Sequence, residues 1–321
     1  MQRNSNRPVG PIGATSLKLA ITGGTGFAGR HLAERFDAEN VVIMSRRTGV
    51  DVDDVEALAR AFSGCDVVAH FAGINREIGT QTYDRVHVRG TAAVIEAAKR
   101  AGVTKIVMLS FLRARPDCGS AYHESKFAAE ELIRASELDF TILKAGMIYG
   151  RGDHLIDHLS RTVTTIPLFA AVGLQEKPIR PIPINDLVDI TVAAVAGRMP
   201  RATVAVTGAE QLMLSEAVSR VARVVGRRVW VFPVPIWAHY LLAQLTEWTM
   251  TVPLIAKAQV RMLAEGVVDA APAAAEVPAD LTPRNRFTDE QIRRALPQAG
   301  GFGWCDLRLA QRLARRGRLS G

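Results

Sequence analysis

Tyr122 and Lys126 stand four residues apart. Positions i and i+4 share one helix face, so a helix here sets the phenol beside the ammonium. A free tyrosine titrates near pKa ~10, too high for useful proton exchange at neutral pH. An adjacent cation stabilises the phenolate and lowers that value, which makes the tyrosine a workable general acid or base. The plainer reading is an exposed helical pair. Asp153, His154, Asp157 and His158 also place two histidines at i and i+4, a spacing that can clamp a metal. No third ligand stands nearby, so no metal is expected.

The run Thr22-Gly23-Gly24-Thr25-Gly26-Phe27-Ala28-Gly29 follows the largely apolar run Leu17–Ile21 and precedes a helical pattern over 30–36. Strand, tight turn and helix are the context that a dinucleotide-binding fingerprint requires. Glycines let the backbone approach a pyrophosphate, and a helix N-terminus offers unpaired N–H groups and a positive dipole end. The spacing is G-x-x-G-x-x-G, and a purely structural turn is the alternative. After Val41–Met44 the chain reads Ser45-Arg46-Arg47, where an NAD site would carry a carboxylate for the ribose 2′-OH. Arginine forks pair with phosphate, so Arg46 and Arg47 favour NADP(H) over NAD(H). Ordinary surface charge is the other reading of the two arginines.

These residues need a scaffold, and the pattern supplies one. Apolar strand candidates at 17–21, 41–44, 67–71, 106–110 and 140–143 alternate with helical patterns near 30–36, 55–62, 91–101 and 125–136. That alternation predicts an α/β, doubly wound parallel sheet covered on both faces. The connection from the second strand to Val50-Asp51-Val52 is too short for a crossover helix. Past Gly150 the prolines 167, 178, 181 and 183 lead to a helix over 186–196, a strand over 203–206 and a helix over 215–225, with Ser215 as its N-cap. Residues 270–280 read as an Ala-Pro loop. The expected organisation is a polar tail over 1–16, a nucleotide-binding domain over 17–150, and a smaller, mainly helical lobe over 151–321. Residues 187–207 are expected to return to the sheet.

The 321 residues, 48% hydrophobic, suffice for a large core. Cys65, Cys118 and Cys305 lie far apart without a C-x-x-C, which argues against disulfides and thiolate metal sites. The net charge is +8, with five arginines between Arg308 and Arg318. No nucleic-acid motif accompanies them, and no nucleic-acid partner is expected. Residues 1–16 lack the apolar centre of a signal peptide, so a cytoplasmic location is expected. The apolar stretch 234–262 is broken by His239, Gln244, Glu247, Pro253 and Lys257 and reads as a helix pair rather than a span. Its Trp237, Tyr240 and Trp248 leave peripheral membrane contact open.

Together the motifs carry a family resemblance over roughly residues 17–230. Thr22-Gly23-x-x-Gly26-x-x-Gly29 is followed by Asp51-Val52, His70-Phe71-Ala72-Gly73, Gly90-Thr91 and Ser110. Tyr122-x-x-x-Lys126, Leu143-Lys144-Ala145-Gly146, Tyr149-Gly150 and Pro183-Ile184-Asn185-Asp186 complete the series. The chain resembles the short-chain dehydrogenase/reductase superfamily, in its extended or atypical, NAD(P)-dependent epimerase/dehydratase-like branch. Its remainder is more loosely similar to the complex I accessory-subunit type.

The resemblance implies a catalytic set of Tyr122, Lys126 and Ser110, with Lys126 also holding the nicotinamide ribose. It implies a cofactor cradle of Gly23, Thr25, Gly26, Phe27, Ala28, Gly29, Arg46, Arg47, Asp51, Val52, Phe71, Ala72, Gly73, Lys144, Ala145 and Gly146, with Asp51 beside the adenine. Three positions depart from the family. Phe111 stands where a second serine is usual, His87 replaces an asparagine, and Ala145 replaces a proline. Ser110 is thus either the carbonyl orienter or a strand cap that touches the cofactor, and Arg180 is either a substrate-phosphate contact or surface charge. The expected chemistry is hydride transfer at a carbonyl or carbinol carbon. The substrate would be a nucleotide-sugar or an apolar carbonyl or quinone-like compound, with a tilt toward the less polar. The alternative is a non-catalytic NADP(H)-binding structural, sensor or assembly protein.

Overall fold

The computed structural model describes residues 17–249, 257–297 and 301. The polar tail, Cys305 and the arginines of 308–318 lie outside the described residues. Elements follow in chain order: β1 (Leu19–Thr22), α1 (Phe27–Ala33), β2 (Val41–Met44), α2 (Val55–Phe62), β3 (Val67–His70), α3 (Gly90–Ala101), β4 (Lys105–Phe111), α4 (Ala121–Arg134) and β5 (Asp139–Ala145). Then come β6 (Ile148–Tyr149), α5 (Leu155–Thr165), β7 (Leu168–Val172), β8 (Ile182–Pro183), α6 (Ile184–Val195), β9 (Ala202–Val206) and α7 (Leu214–Val224). The chain continues through β10 (Trp230–Val234), α8 (Ile236–Thr249), α9 (Lys257–Glu265), β11 (Ala275–Glu276) and α10 (Asp289–Ala295).

The chain forms two compact units. The first runs to Ala145 and takes in 185–205 and 271–281; the second holds 146–184, 206–270 and the residues from 282 on. The first unit's leading segment thus ends with β5. Residues 270–280 are not simply a loop, because β11 lies there and pairs in parallel with β9.

The first unit is built on a seven-stranded sheet in the order β2-β1-β3-β4-β5-β9-β11. β1 runs parallel to both β2 and β3, and β3 to β5 continue in parallel. Every residue of β1 and β3 is buried, as expected of central strands covered on both faces. On one face Leu58, Phe62, Val94, Ala97, Ala98, Ile106 and Ile133 share a core cluster. Asp54 caps α2 by accepting from the Ala57 N–H, and Gly102 ends α3 at φ +74°. The short link after β2 is one 3₁₀ turn over Arg46–Thr48, held by a reciprocal Ser45–Thr48 capping box.

The second unit packs α5, α7 and α10 around Ile156, Leu159, Val218, Val221 and Ile292, with Tyr149 edge-on to Phe287 at 4.9 Å. Two parallel ribbons, β6–β8 and β7–β10, belong to it. Ser215 is not the N-cap of α7. Met213 holds that position, and Glu176 reaches in from outside to accept from both the N–H and the hydroxyl of Ser215. No described helix is long and apolar enough to cross a membrane.

Phe62 is completely buried in the first core. Phe62→Ala is expected to cost about 3–5 kcal/mol, measured as a lower urea midpoint with an unchanged slope.

Candidate active site

The sheet order reverses at β1, with β2 on one side and β3 on the other. In such sheets ligands bind outside the carboxyl ends of the strands at that switch point. Gly23 follows β1 there at φ +68°, and a β carbon on it would lie 2.7 Å from the Ala72 nitrogen and 2.8 Å from the Phe71 carbonyl carbon. A β carbon on Gly29 would meet the Gly23 oxygen at 2.5 Å. The turn closes by a 2.9 Å bond from the Gly26 N–H to the Gly23 carbonyl. Gly26 is the N-cap of α1 and brings no side chain to the first-turn N–H groups. Backbone packed this closely beside an uncapped helix start fits the pyrophosphate of a dinucleotide. Thr25, Phe27 and Ala28 are partly exposed along the same turn, with Phe27 edge-on to His31 at 5.2 Å.

The Gly24 N–H donates to the Met44 carbonyl at 3.1 Å, which ties the turn to the end of β2. Two residues on, Arg46 and Arg47 are exposed and make no ion pair among the described residues. Asp51 is already engaged: it accepts from Arg85 at 2.9 Å and from the Val52 N–H at 2.8 Å. Arg85 also grips Asp53 at 2.7 Å and holds that carboxyl below its usual range. Val52 packs on α3 at Gly90, where a β carbon would come within 2.8 Å of a valine methyl.

A directional chain of hydrogen bonds runs beneath the turn. The Ala72 N–H donates to Thr22 Oγ1, and that hydroxyl donates to His70 Nδ1 at 2.8 Å. His70 Nε2–H donates to Thr91 Oγ1 at 2.9 Å, and Thr91 donates to the His87 carbonyl. A second chain starts from the Ile74 N–H, which donates to His87 Nε2 at 3.1 Å. The opposite nitrogen, Nδ1–H, therefore donates to Ser125, whose hydroxyl passes the bond to the Tyr122 carbonyl. Both histidines are thus neutral with fixed tautomers. Burial, reinforced by the Lys126 charge, takes His70 down to about 3 and His87 down to about 2. His87 sits on a π-helical turn over Asp84–Arg89, a distortion that recurs at functional sites.

Tyr122 is ringed by Tyr83, His87, Phe111 and His123 at centroid distances between 5.5 and 5.9 Å. Burial, and then the Tyr83 phenol, push the Tyr122 phenol above its ordinary value. The lowering expected from the i+4 lysine is not seen in the protein by itself. Lys126 Nζ instead reaches the Leu109 carbonyl at 3.4 Å and lies 3.0 Å from where a β carbon on Gly73 would sit. Burial lowers its pKa to about 8, with Glu130 opposing that shift.

Ser110 and Lys144 face elsewhere. They are cross-strand partners on β4 and β5, and both meet Glu130 of α4. The Ser110 hydroxyl donates to it at 2.5 Å, and Lys144 Nζ lies 3.1 Å away. Glu130 and Lys144 are 0% and 1% exposed. Arg134 completes the cluster at 2.7 Å and the Ala114 carbonyl accepts from Lys144 at 2.8 Å. Both side chains are engaged with Glu130 in the protein by itself. Phe111, not a serine, is the β4 residue against Tyr122. Ala145 is buried, its carbonyl accepting from the Leu112 N–H, and the Gly146 N–H is spent on Val206. Sequence reading missed Glu130, Arg85 and Ser125. The one available signal was the Lys126/Glu130 spacing of four. Among the described residues no group of three or more His, Cys, Asp or Glu is placed to hold a metal ion.

Residues 23–156 match the NAD(P)H-binding family. Over 151 residues the chain is 34% identical to ceramide reductase of Caulobacter vibrioides, a match covering 42% of this chain and 47% of that protein. Over 194 residues it is 26% identical to the mitochondrial NADH dehydrogenase [ubiquinone] 1 alpha subcomplex subunit 9 of Dictyostelium discoideum, covering 54% of each. These matches thus span about half the length of the two relatives. Among solved structures, UDP-N-acetylglucosamine 4-epimerase from Bacillus cereus superposes with a TM-score of 0.63 at 17% identity, over 88% of this chain and 99% of that one. Residues 23–156 are thus similar to NAD(P)H-binding proteins, and the superposition shows that the chain shares the fold of the epimerase.

Two outcomes test this geometry. Glu130→Ala leaves Lys144 buried without its carboxylate and should cost about 3–5 kcal/mol in urea unfolding. Burial lowers Lys126 to about 8 in the folded chain, below the ordinary lysine value of about 10.5, so between those values the unfolded chain binds more protons at this position. Its contribution to stability therefore rises with pH across that window, and Lys126→Met should flatten the rise in melts recorded at either end.

Proposed function

We propose that this chain is an NADP(H)-dependent oxidoreductase that reduces a carbonyl group on a weakly polar substrate. The observation carrying this reading is the approach of Lys126 to Gly73, which brings the Tyr122–Lys126 face of α4 to the strand end that also packs against the glycine turn. The turn and the start of α1 would hold the pyrophosphate. Arg46 and Arg47 would pair with a ribose 2′-phosphate, and Lys126 would hold the nicotinamide ribose hydroxyls. The cofactor supplies the hydride.

Tyr122 gives its proton to the oxygen of the carbonyl being reduced. Burial keeps the phenol protonated at neutral pH, which suits donation, and a cationic Lys126 stabilises the phenolate left behind. His87 and Ser125 hold the backbone of Tyr122 in place. The aromatic ring around Tyr122 excludes water and offers apolar contact in place of a serine hydroxyl, which supports a substrate less polar than a nucleotide-sugar. The name of the Caulobacter relative points the same way, toward reduction of a lipid-like molecule.

Fluorescence titration tests the cofactor. Arg46→Ala/Arg47→Ala should weaken NADPH binding roughly 10- to 100-fold, the equivalent of one to two charge-assisted bonds, and leave NADH binding unchanged. Equal NADH and NADPH affinity in the wild type would refute the phosphate clamp. Tyr122→Phe should lower NADPH consumption with ketone substrates by about 10²–10⁴-fold while NADPH affinity holds. Tight NADPH binding without turnover on ketones or nucleotide-sugars would leave a protein that only holds the cofactor.

A further inference from the structure

α8 is built inside out. Its face toward β7 and α9 carries the small or polar His239, Ala243 and Thr246, all buried. His239 Nε2 donates to the Ala170 carbonyl at 3.2 Å, and Ala243 packs with Val172 and Val260. The opposite face carries Trp237, Leu241 and Leu245 at 67%, 64% and 57% exposure, spaced by four so that they form one line. Soluble helices normally carry the reverse arrangement.

The β7–β10 ribbon extends this surface. Trp230 pairs in register with Leu168, and Phe232 with Ala170. Alternation along the strands puts these residues on the ribbon face that also presents Val172 to α8. Trp230 is 75% exposed, and Leu168 and Phe232 are exposed beside it. Between 230 and 245 seven large apolar side chains are exposed, Ile236 and Leu242 among them, a concentration that marks a contact surface.

Its charge pattern selects the occupant. Residues 229–246 contain no Asp, Glu, Lys or Arg. Immediately before them, Arg227 and Arg228 are exposed and make no ion pair among the described residues. Two copies meeting on this face would bring like charges together with no carboxylate in that stretch to offset them. A bilayer surface of anionic lipid answers both features, since tryptophan and leucine enter the headgroup–acyl boundary and arginines meet the phosphates. From this geometry we infer that α8 and the β7–β10 ribbon form a peripheral docking face for anionic membrane, lying on the bilayer and not crossing it. The inference stands independently of the cofactor and of Tyr122.

Co-sedimentation of the full chain with vesicles tests it, using phosphatidylcholine alone and phosphatidylcholine mixed with phosphatidylglycerol. The expected result is binding to the mixed vesicles at low salt, with a blue shift of tryptophan emission. Arg227→Ala/Arg228→Ala should weaken binding by roughly fivefold per arginine. Leu241→Gln/Leu245→Gln should abolish it with little change in the thermal melt, because both residues are more than half exposed. Absence of binding at low salt overturns the inference. So does binding that survives the leucine changes, which would assign it to the arginines of 308–318. A dimer in analytical ultracentrifugation that the leucine changes split would give this face to a second copy and equally overturn it.

Discussion

There is no room for a β carbon at Gly23. The turn leaving β1 presses on the peptide of Phe71 and Ala72 as it leaves β3, and the candidate site depends on that backbone-to-backbone contact. It fixes the two strand ends that flank the switch point. It also lets Thr22 receive the Ala72 N–H and pass the bond to His70. Gly29 repeats the condition one helical turn later, against the turn itself. A side chain at either position would force these backbone segments apart.

From this contact the polar interior follows in two directional chains that meet at His87. One arrives from Thr22 through His70 and Thr91 at the His87 carbonyl; the other passes from Ile74 through the His87 ring to Ser125 and α4. Burial keeps both rings neutral, so each has one donor and one acceptor and the direction of every bond is set. Such a network specifies geometry more than it adds stability. Here it ties the strand ends to the helix that bears Tyr122 and Lys126.

α4 faces two environments. One turn after Lys126, Glu130 points into the sheet and gathers Ser110, Lys144 and Arg134. A buried carboxylate among cations is tolerated only when its oxygens are used, and these are. The same carboxylate accepts from Ser110, and the next residue, Phe111, is the β4 residue against Tyr122.

Local rules made much of this legible from the chain. The glycine spacing, the strand–helix alternation and the i+4 pair each depend on a few neighbouring residues, on positive φ and on periodicity, so the sequence by itself determined the α/β architecture and where a nucleotide turn had to lie. Tertiary structure alone decided the rest. That Ser110 meets Glu130 depended on the β4–β5 register that sets it beside Lys144. Whether Asp51 stood free depended on Arg85 arriving from thirty-four residues away. The strand β11, hidden in an Ala-Pro stretch, exists because β9 leaves an edge to pair with. Which face of α8 met water depended on His239 finding the Ala170 carbonyl. Partners distant in sequence are chosen by strand order and packing, and no local window of residues contains that information.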